Sequence, residues 1–170
     1  MGDYCIYTDP EKCIACHACE IQCKVKNNVP PGANLGQVVI MGPKLVNGVP
    51  RMSSVFIPCF QCENAWCVNA CPTGAIRRRE KDGIIYIVEE LCVGCKACIL
   101  ACPWKIPQWN SKTGKVIKCD MCMDRIDEGK IPACVAACPT NALQFGRPET
   151  ISSQTREAYG LNLLEKNLVG

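Results

Sequence analysis

The spacing of the cysteines constrains this chain more than any other feature. Seventeen cysteines occur in 170 residues, and all but Cys5 fall into four groups of four. The first and third groups have the spacing C-x2-C-x2-C-x3-C, and the second, third and fourth groups are each followed by proline. The groups are Cys13, Cys16, Cys19 and Cys23; Cys59, Cys62, Cys67 and Cys71; Cys92, Cys95, Cys98 and Cys102; and Cys119, Cys122, Cys134 and Cys138.

This spacing is typical of bacterial ferredoxins that bind four-iron, four-sulfur (4Fe-4S) clusters. Three thiolates from one short turn converge on three irons, and the fourth iron takes a cysteine from elsewhere. In two-cluster ferredoxins the last cysteine of each motif binds the other cluster. The following proline has no N–H to donate and ends the short helix that carries this cysteine. We therefore predict four 4Fe-4S clusters, all sixteen grouped cysteines as iron ligands, and electron transfer as the function.

The short stretch between groups two and three indicates which motifs pair. It carries a β-hairpin signal, with strands at Ala75–Arg79 and Ile84–Val88 around a Lys81-Asp82-Gly83 turn. Groups two and three thus predict a ferredoxin by themselves, and groups one and four pair around it. The predicted ligand sets are Cys59, Cys62, Cys67 with Cys102; Cys92, Cys95, Cys98 with Cys71; Cys13, Cys16, Cys19 with Cys138; and Cys119, Cys122, Cys134 with Cys23.

The predicted fold class is α+β, with two nested bacterial-ferredoxin-like modules related by pseudo-symmetry. Small hairpins and short helices surround the four clusters. The outer module comprises 1–29 plus 104–146, a connecting insertion covers 30–58, the inner module covers 59–103, and a C-terminal arm or helix covers 147–170. Because the chain is poor in Phe and Trp, the clusters are expected to supply much of the folding energy.

Further elements follow from local patterns. Cys5 is expected in a first strand as a small apolar residue. The other predicted elements are strands at Gln37–Met41 and Ser54–Ile57, a hairpin within Trp104–Lys118 that turns at Lys112-Thr113-Gly114, and helices at Asp120–Gly129 and Ala133–Ala137. The stretch Glu149–Val169 is either a helix packed on its own module or an arm that docks a partner.

Many cysteines in one chain have two other common uses. A disulfide scaffold is typical of secreted proteins, which have an export signal and usually a chain under about 100 residues. Zinc takes four cysteines, usually as two separated CxxC pairs, and the fourth group alone fits that pattern. The C-x3-C-P endings of the second, third and fourth groups argue against zinc for the chain as a whole.

Charge and missing motifs exclude further classes. The formal charge of +3 becomes about −5 once four oxidised clusters contribute about −2 each, so nucleic acid is a poor partner. The one basic run, Arg77–Arg79, is interpreted as a solvated strand edge. No P-loop, G-x-G-x-x-G or H-E-x-x-H occurs, which predicts a non-catalytic protein.

Two kinds of side chain near the motifs are interpreted as structural. The single histidine, His17, is expected to be half-exposed. The tryptophans Trp66, Trp104 and Trp109 are expected to pack beside clusters rather than to border an electron exit.

The start of the chain has no signal-peptide pattern, and no apolar run approaches the roughly 20 residues that span a bilayer. These features predict a cytoplasmic protein without direct membrane insertion.

The motifs resemble those of a known family. Cys59-x2-Cys62-x4-Cys67-x3-Cys71-Pro72, Cys92-Val-Gly-Cys-Lys-Ala-Cys98 and Cys134-Val-Ala-Ala-Cys138-Pro139 are similar to the iron-sulfur electron-transfer subunits of molybdopterin and tungstopterin oxidoreductases. That family includes subunits of dimethyl sulfoxide reductase, formate dehydrogenase and nitrate reductase, and small subunits of tungsten aldehyde oxidoreductases. The resemblance covers about residues 3 to 146 and implies the same nested pairing.

The resemblance implies a wire of four clusters between a large tungsten- or molybdenum-pterin catalytic subunit and an acceptor. The acceptor is a second redox subunit or a ferredoxin. The chain lacks the large insertions and membrane anchor of longer family members, so a tungsten aldehyde oxidoreductase partner is ranked first. The alternatives are a free polyferredoxin that shuttles electrons between enzymes, and a non-redox role for the clusters. Head-to-tail self-association is an additional hypothesis.

Overall fold

The computed structural model describes residues 3–168, so the outermost two residues of the predicted outer module and of the C-terminal arm lie outside the described residues. This range contains eight β-strands, six α-helices and a 3-10 helix at Glu89–Leu91. The strands are β1 Cys5–Thr8, β2 Gln37–Val46, β3 Val49–Ile57, β4 Ile76–Arg78, β5 Ile85–Ile87, β6 Gln108–Asn110, β7 Lys115–Ile117 and β8 Leu143–Gly146. The helices are α1 Ala18–Lys26, α2 Trp66–Asn69, α3 Ala97–Ala101, α4 Met123–Asp127, α5 Ala133–Ala136 and α6 Pro148–Leu168.

The strands pair as four separate two-stranded antiparallel sheets. β4 with β5 and β6 with β7 form the two predicted hairpins, and β1 confirms the predicted first strand. β8 was not predicted from the sequence. It pairs with β1, with Cys5 opposite Gly146 and Thr8 opposite Leu143. This sheet joins the chain before the first motif to the chain after the fourth.

The β2–β3 hairpin is longer than the two strands predicted in this connection. Its strands meet at Asn47 and Gly48, whose φ values are 52° and 77°. Two successive positive φ values are typical of the two-residue type I′ turn. Pro43 lies inside β2, where the register shifts between Met41 and Lys44. The irregularity accommodates the proline, which cannot donate to a strand ladder. Because of this proline, the outer half of the hairpin was predicted as connection.

The short helices carry the later cysteines of each motif. α1 packs against α5, and α2 packs against α3. The first motif's helix therefore contacts the fourth motif's helix, while the helices of the second and third motifs contact each other. Helices of four or five residues are far too short to be stable alone, so these contacts hold them in place.

The core is small and rich in cysteine. Each of its three buried clusters contains cysteine side chains. The first cluster consists of Cys19, Val38, Phe56, Cys134, Val135 and Leu143. The second consists of Ala65, Cys67, Ile76, Ile85, Cys98 and Val116, and the third of Cys59, Cys102 and Ile106. Thiols thus occupy positions that larger apolar side chains fill in an ordinary core.

The C-terminal stretch is a helix, one of the two predicted alternatives. α6 begins at Pro148, and proline is favoured at this first helical position because its missing N–H would have no partner there. The helix packs on β8 through Ile151, which is buried. Tyr159, Leu161 and Leu164 further along are exposed. None of the helices in residues 3–168 has the length and apolar character needed to cross a membrane.

Candidate metal centres

A left-handed backbone occurs just before the second cysteine of every motif. The φ values are 53° at Ala15, 48° at Gln61, 70° at Gly94 and 56° at Met121. Such turns point successive backbone N–H groups into one concavity, which favours an anion. The N–H of Met121 donates to the Sγ of Cys119 over 3.4 Å. The fourth motif therefore directs a backbone donor at a cysteine sulfur.

Cys92, Cys95 and Cys98 of the third motif share a pocket with Cys71 of the second motif. This Cys71 pocket has about 310 Å³ of free space. Most of its remaining walls are apolar, and the backbone N–H of Val116 donates to Cys92 Sγ over 3.4 Å.

Cys59, Cys62 and Cys67 of the second motif share a pocket with Cys102 of the third motif. This Cys102 pocket has about 360 Å³ of free space. Its lining includes the aromatic side chains Phe60, Trp66 and Trp104, all of them roughly half exposed. The rings of Phe60 and Trp104 pack with their centroids 5.0 Å apart.

Cys119, Cys122 and Cys134 of the fourth motif share a pocket with Cys23 of the first motif. This Cys23 pocket has about 310 Å³ of free space. The side-chain amide of Asn27 donates to Cys23 Sγ over 3.5 Å and to the carbonyl of Cys23 over 2.9 Å. Asn27 therefore contributes a donor to the sulfur as well as closing the end of α1.

The first motif and Cys138 lie close to the same core cluster. Cys19 belongs to the buried cluster that contains Cys134, and Cys138 packs against that cluster. Cys13 is half-buried and Cys16 is exposed. The structure thus places two members of this predicted set around one core cluster and the other two nearer the surface.

Burial disfavours thiolates in the absence of iron. It raises the pKa of Cys19 to about 12 and of Cys23 and Cys98 to about 11. Iron binding has to overcome this cost, because the thiolate is the metal ligand. Cluster assembly in these pockets therefore releases protons.

Cys71 and Cys138 have the opposite tendency. Burial alone raises the pKa of each thiol, but backbone N–H groups and a threonine hydroxyl outweigh it, so that both pKa values are lowered. The hydroxyls are those of Thr73, 3.7 Å from Cys71 Sγ, and Thr140, 3.8 Å from Cys138 Sγ. Sequence reasoning missed both threonines, although the repeated Cys-Pro-Thr tripeptide was a signal for them.

A buried lysine, Lys118, affects the pKa of two other cysteines. Burial raises the pKa of Cys67, and the charge of Lys118 opposes that rise. The same holds at Cys119, where burial and then the charge of Cys59 raise the pKa and Lys118 opposes them. Lys118 was not singled out from the sequence, because nothing in the motif spacing indicates that this side chain is buried.

The other side chains interpreted from the sequence have mainly structural contacts. Cys5 lies half-buried in β1, and burial and then the charge of Glu149 raise its pKa. The Nδ1 of His17 is 2.8 Å from Glu20 Oε2, and the histidine side chain is 42% exposed. Trp109 packs against the second core cluster, with Lys96 Nζ 4.0 Å from its ring centroid.

The basic run is less solvated than its sequence suggested. Arg77 is exposed, but Arg78 donates to the backbone carbonyls of Cys62, Glu63 and Gly83. Arg79 forms ion pairs with Asp82 and Asp127. Arg77 also binds the chain itself, since its Nε donates to the carbonyl of Gly74 over 3.0 Å. The interpretation as a solvated edge therefore fits Arg77 only in that this residue is exposed.

Gly94→Ala is expected to destabilise the Cys71 pocket more than Gly114→Ala does. The two glycines have similar φ values of 70° and 67°, so alanine costs about 1–2 kcal/mol at either position. At Gly94 the new Cβ also lies 2.3 Å from the carbonyl oxygen of Gly114 and 3.2 Å from the ring of Trp109, and such overpacking costs about 1–3 kcal/mol more. At Gly114 no atom of the described residues lies within 4 Å of the new Cβ.

The check is the temperature at which the anaerobic holoprotein loses its cluster absorbance. For a chain of this size each kcal/mol lowers the midpoint by about 2–4 °C. Gly114→Ala is the matched control, because it carries the backbone strain without the collision. Equal midpoints for the two variants would contradict the close packing of the β6–β7 hairpin on the third motif.

Together these observations define a class of protein. All seventeen cysteines lie within residues 3–168 as free thiols. In that part of the chain no group of three or more His, Cys, Asp or Glu side chains is arranged to hold a single metal ion. Twelve of the cysteines line three mainly apolar pockets in sets of four. In the Cys71 and Cys23 pockets, N–H donors are directed at sulfur. This arrangement fits iron-sulfur clusters, and the chain is a cluster-carrying electron-transfer protein.

Comparisons with known proteins agree with this class of protein. Residues 50–148 match the family described as 4Fe-4S dicluster domain, and residues 10–26 match a 4Fe-4S binding domain. The chain is 43% identical to the thiosulfate reductase electron transfer subunit PhsB of Salmonella typhi, over 86% of this chain and 77% of that protein. It is 42% identical to the B subunit of polysulfide reductase from Wolinella succinogenes, over 84% of this chain and 75% of that protein. It is 38% identical to the B subunit of anaerobic dimethyl sulfoxide reductase from Escherichia coli K12, over 84% of this chain and 73% of that protein.

The chain belongs to the 4Fe-4S dicluster family of iron-sulfur electron-transfer subunits of molybdopterin oxidoreductases. Its cofactors are 4Fe-4S clusters, and its cysteines fit four of them. It is a non-catalytic subunit.

Proposed function

We propose that this chain conducts electrons through four clusters, held in two reciprocal pairs of motifs, between a molybdenum-pterin catalytic subunit and a second redox partner. One observation carries the proposal. Each of the three pockets combines three cysteines of one motif with the last cysteine of a different motif. In the Cys71 and Cys102 pockets, the second and third motifs exchange their last cysteines.

The packing of the short helices supports the same pairing. α2 and α3 contact each other, as do α1 and α5, and β1 pairs with β8. Cys23 joins the fourth motif in its pocket, and reciprocity assigns Cys138 to Cys13, Cys16 and Cys19. The proposed architecture is therefore an inner ferredoxin-like module at 59–103 nested in an outer module built from 1–29 and 104–146.

Each cluster accepts and donates one electron when it is bound. The chain's own residues set how readily that happens, through hydrogen bonds to sulfur, nearby charge and solvent exposure. The apolar walls of the pockets disfavour the extra negative charge of a reduced cluster. The N–H groups of Met121 and Val116 and the amide of Asn27 favour it. These opposing contributions differ between pockets and give each cluster its own potential.

The relatives suggest the chemistry of the partner. Three of them are named for thiosulfate, polysulfide and dimethyl sulfoxide reductases. We therefore place a molybdenum-dependent reductase of an oxidised sulfur compound first as the partner. The motifs alone ranked a tungsten aldehyde oxidoreductase first, and the relatives do not support that partner. The second redox partner, the cytoplasmic location and head-to-tail self-association stay predictions, testable by co-purification, cell fractionation and size-exclusion chromatography.

The test is anaerobic purification of the tagged chain from its native cell, with analysis of iron, molybdenum and tungsten. We expect a stoichiometric complex with a large molybdenum-bearing protein. When thiosulfate, polysulfide or dimethyl sulfoxide is added to the dithionite-reduced complex, one of them is expected to reoxidise the clusters of this chain. The control is the isolated chain, whose reduced clusters are expected to stay reduced with the same compounds.

Other outcomes separate the alternatives. Recovery of an iron-rich monomer without a molybdenum or tungsten protein would favour the free polyferredoxin. Tungsten in the partner, with cluster reduction by an aldehyde, would instead favour an aldehyde oxidoreductase as the catalytic partner.

A further inference from the structure

Lys118 is a lysine in a position where lysine is rarely found. Its side chain is 7% exposed, and it follows β7 immediately before the first cysteine of the fourth motif. It lines the Cys102 pocket. The next residue, Cys119, lines the Cys23 pocket. Lys118 therefore adjoins two of the proposed cluster sites.

The ammonium group of Lys118 is held by backbone oxygens. Nζ donates to the carbonyl of Ile85 over 2.5 Å and to the carbonyl of Cys119 over 2.6 Å. Among the described residues, no salt bridge joins it to a carboxylate. Burial of an ammonium group is costly unless an opposite charge lies nearby. Clusters bound in the two adjoining pockets would supply this opposite charge.

A second buried polar side chain binds the backbone of the same two residues. Gln61 is 3% exposed and lies between Cys59 and Cys62 in the second motif. Its Nε2 donates to the carbonyl of Cys119 over 3.3 Å, and its Oε1 accepts from the N–H of Ile85 over 2.7 Å. This closed network joins the second motif, β5 and the fourth motif. It holds the lysine rigidly between the two pockets.

We propose that Lys118 tunes the clusters of the Cys102 pocket and the Cys23 pocket by placing one fixed positive charge between them. The inference rests on the proposed ligand sets. When an electron passes between these clusters, the donor loses one electron and the acceptor gains one. Its charge stabilises the reduced form at both sites, so it raises both reduction potentials and favours an electron on these two clusters.

The test replaces Lys118 in the holoprotein and measures the midpoint potential of each cluster by redox titration with electron paramagnetic resonance. Lys118→Met keeps an unbranched apolar stem and removes the charge. We expect two of the four components to become harder to reduce, by at least tenfold in the equilibrium constant, and the other two to stay in place. A tenfold change in a one-electron couple is about 59 mV.

Companion variants separate charge from structure. Lys118→Arg keeps the positive charge and is expected to restore both midpoints. Lys118→Gln keeps an N–H donor without the charge and is expected to behave like Lys118→Met. Lys112→Met removes a lysine from the exposed turn of the same hairpin, where solvent and salt screen its charge, and is expected to leave all four midpoints unchanged.

The wild-type titration checks the proposed function separately, because four components and full iron content are required before any variant is interpreted. Unchanged midpoints in Lys118→Gln with full iron content would overturn the inference, as would an equal shift of all four components. If Lys118→Met loses iron, the comparison of Lys118→Gln with Lys118→Arg decides the role of the charge.

Discussion

Removal of iron is expected to unfold this protein. Eight of the buried apolar side chains are cysteines: Cys19, Cys23, Cys59, Cys67, Cys98, Cys102, Cys122 and Cys134. The sheets are all two-stranded, and an isolated two-stranded sheet is marginal at best in water. Three of the four helices that carry candidate ligands have four or five residues. Iron–sulfur bonds therefore replace a conventional core, and their free energy is folding free energy.

The expected change is large. For a chain of this length the radius of gyration rises from about 15 Å when compact to about 44 Å when unfolded. Small-angle scattering before and after anaerobic chelation measures it, with a thiol reductant present so that disulfides do not form. Circular dichroism is expected to lose most of the strand and short-helix signal.

Reconstitution with iron and sulfide is the control for this experiment, because it should restore the compact radius. Mock-treated holoprotein shows whether the reductant alone causes expansion. A compact apoprotein with native circular dichroism would contradict the account and would mean that the apolar contacts suffice without the clusters.

Local features of the fold were predictable from the sequence, because cluster ligands come from short turns with fixed spacing. The β4–β5 and β6–β7 hairpins lie where apolar runs flank a glycine-containing turn. α4 and α5 lie within the two predicted helices. The positive φ of 72° at Gly129 follows the end of α4 as expected.

Long-range pairing was harder to predict. β8 has only four residues, and its pairing with β1 links positions such as Cys5 and Gly146 that are far apart in sequence. Such pairing depends on cluster and helix contacts that bring the chain ends together, which no local pattern encodes. The β2–β3 hairpin was underestimated for a different reason. Its proline residues indicated connection, while the Asn47-Gly48 turn signal was overlooked.

The side chains around the sulfurs also divide into those that the sequence predicts and those that it does not. The sixteen candidate ligands follow from spacing, but Gln61 and Lys118 act through tertiary contacts with Ile85 and Cys119. A lone lysine or glutamine in a motif has many possible neighbours, so its burial cannot be read from the sequence. These residues matter for tuning rather than for holding clusters, and tuning depends on distance and burial.

The pairing of motifs gives the second large expected effect, and double substitutions test it without assigning spectra. Cys71→Ala is expected to damage the cluster bound by the third motif, because Cys71 shares its pocket with Cys95. Adding Cys95→Ala then damages the same cluster a second time. Adding Cys62→Ala instead damages a different cluster, because Cys62 lies in the Cys102 pocket.

The measurement is the number of spins in the fully reduced protein, together with iron content. Each of these three substitutions made alone is expected to lose about one of four 4Fe-4S spins. Cys71→Ala with Cys95→Ala should stay at that level, whereas Cys71→Ala with Cys62→Ala should lose about two. Cys5→Ala is the matched control and should keep all four, because Cys5 lies in β1 outside every motif.

The opposite pattern has a definite meaning. If each motif held its own cluster, Cys71 and Cys62 would share one site, and that pair would lose one spin while the pair with Cys95 lost two. The result would overturn the reciprocal exchange of ligands while leaving the number of clusters intact. Because the two double variants share Cys71→Ala, any general loss of stability from that change is common to both, and only the difference between them reports which sulfurs bind the same irons.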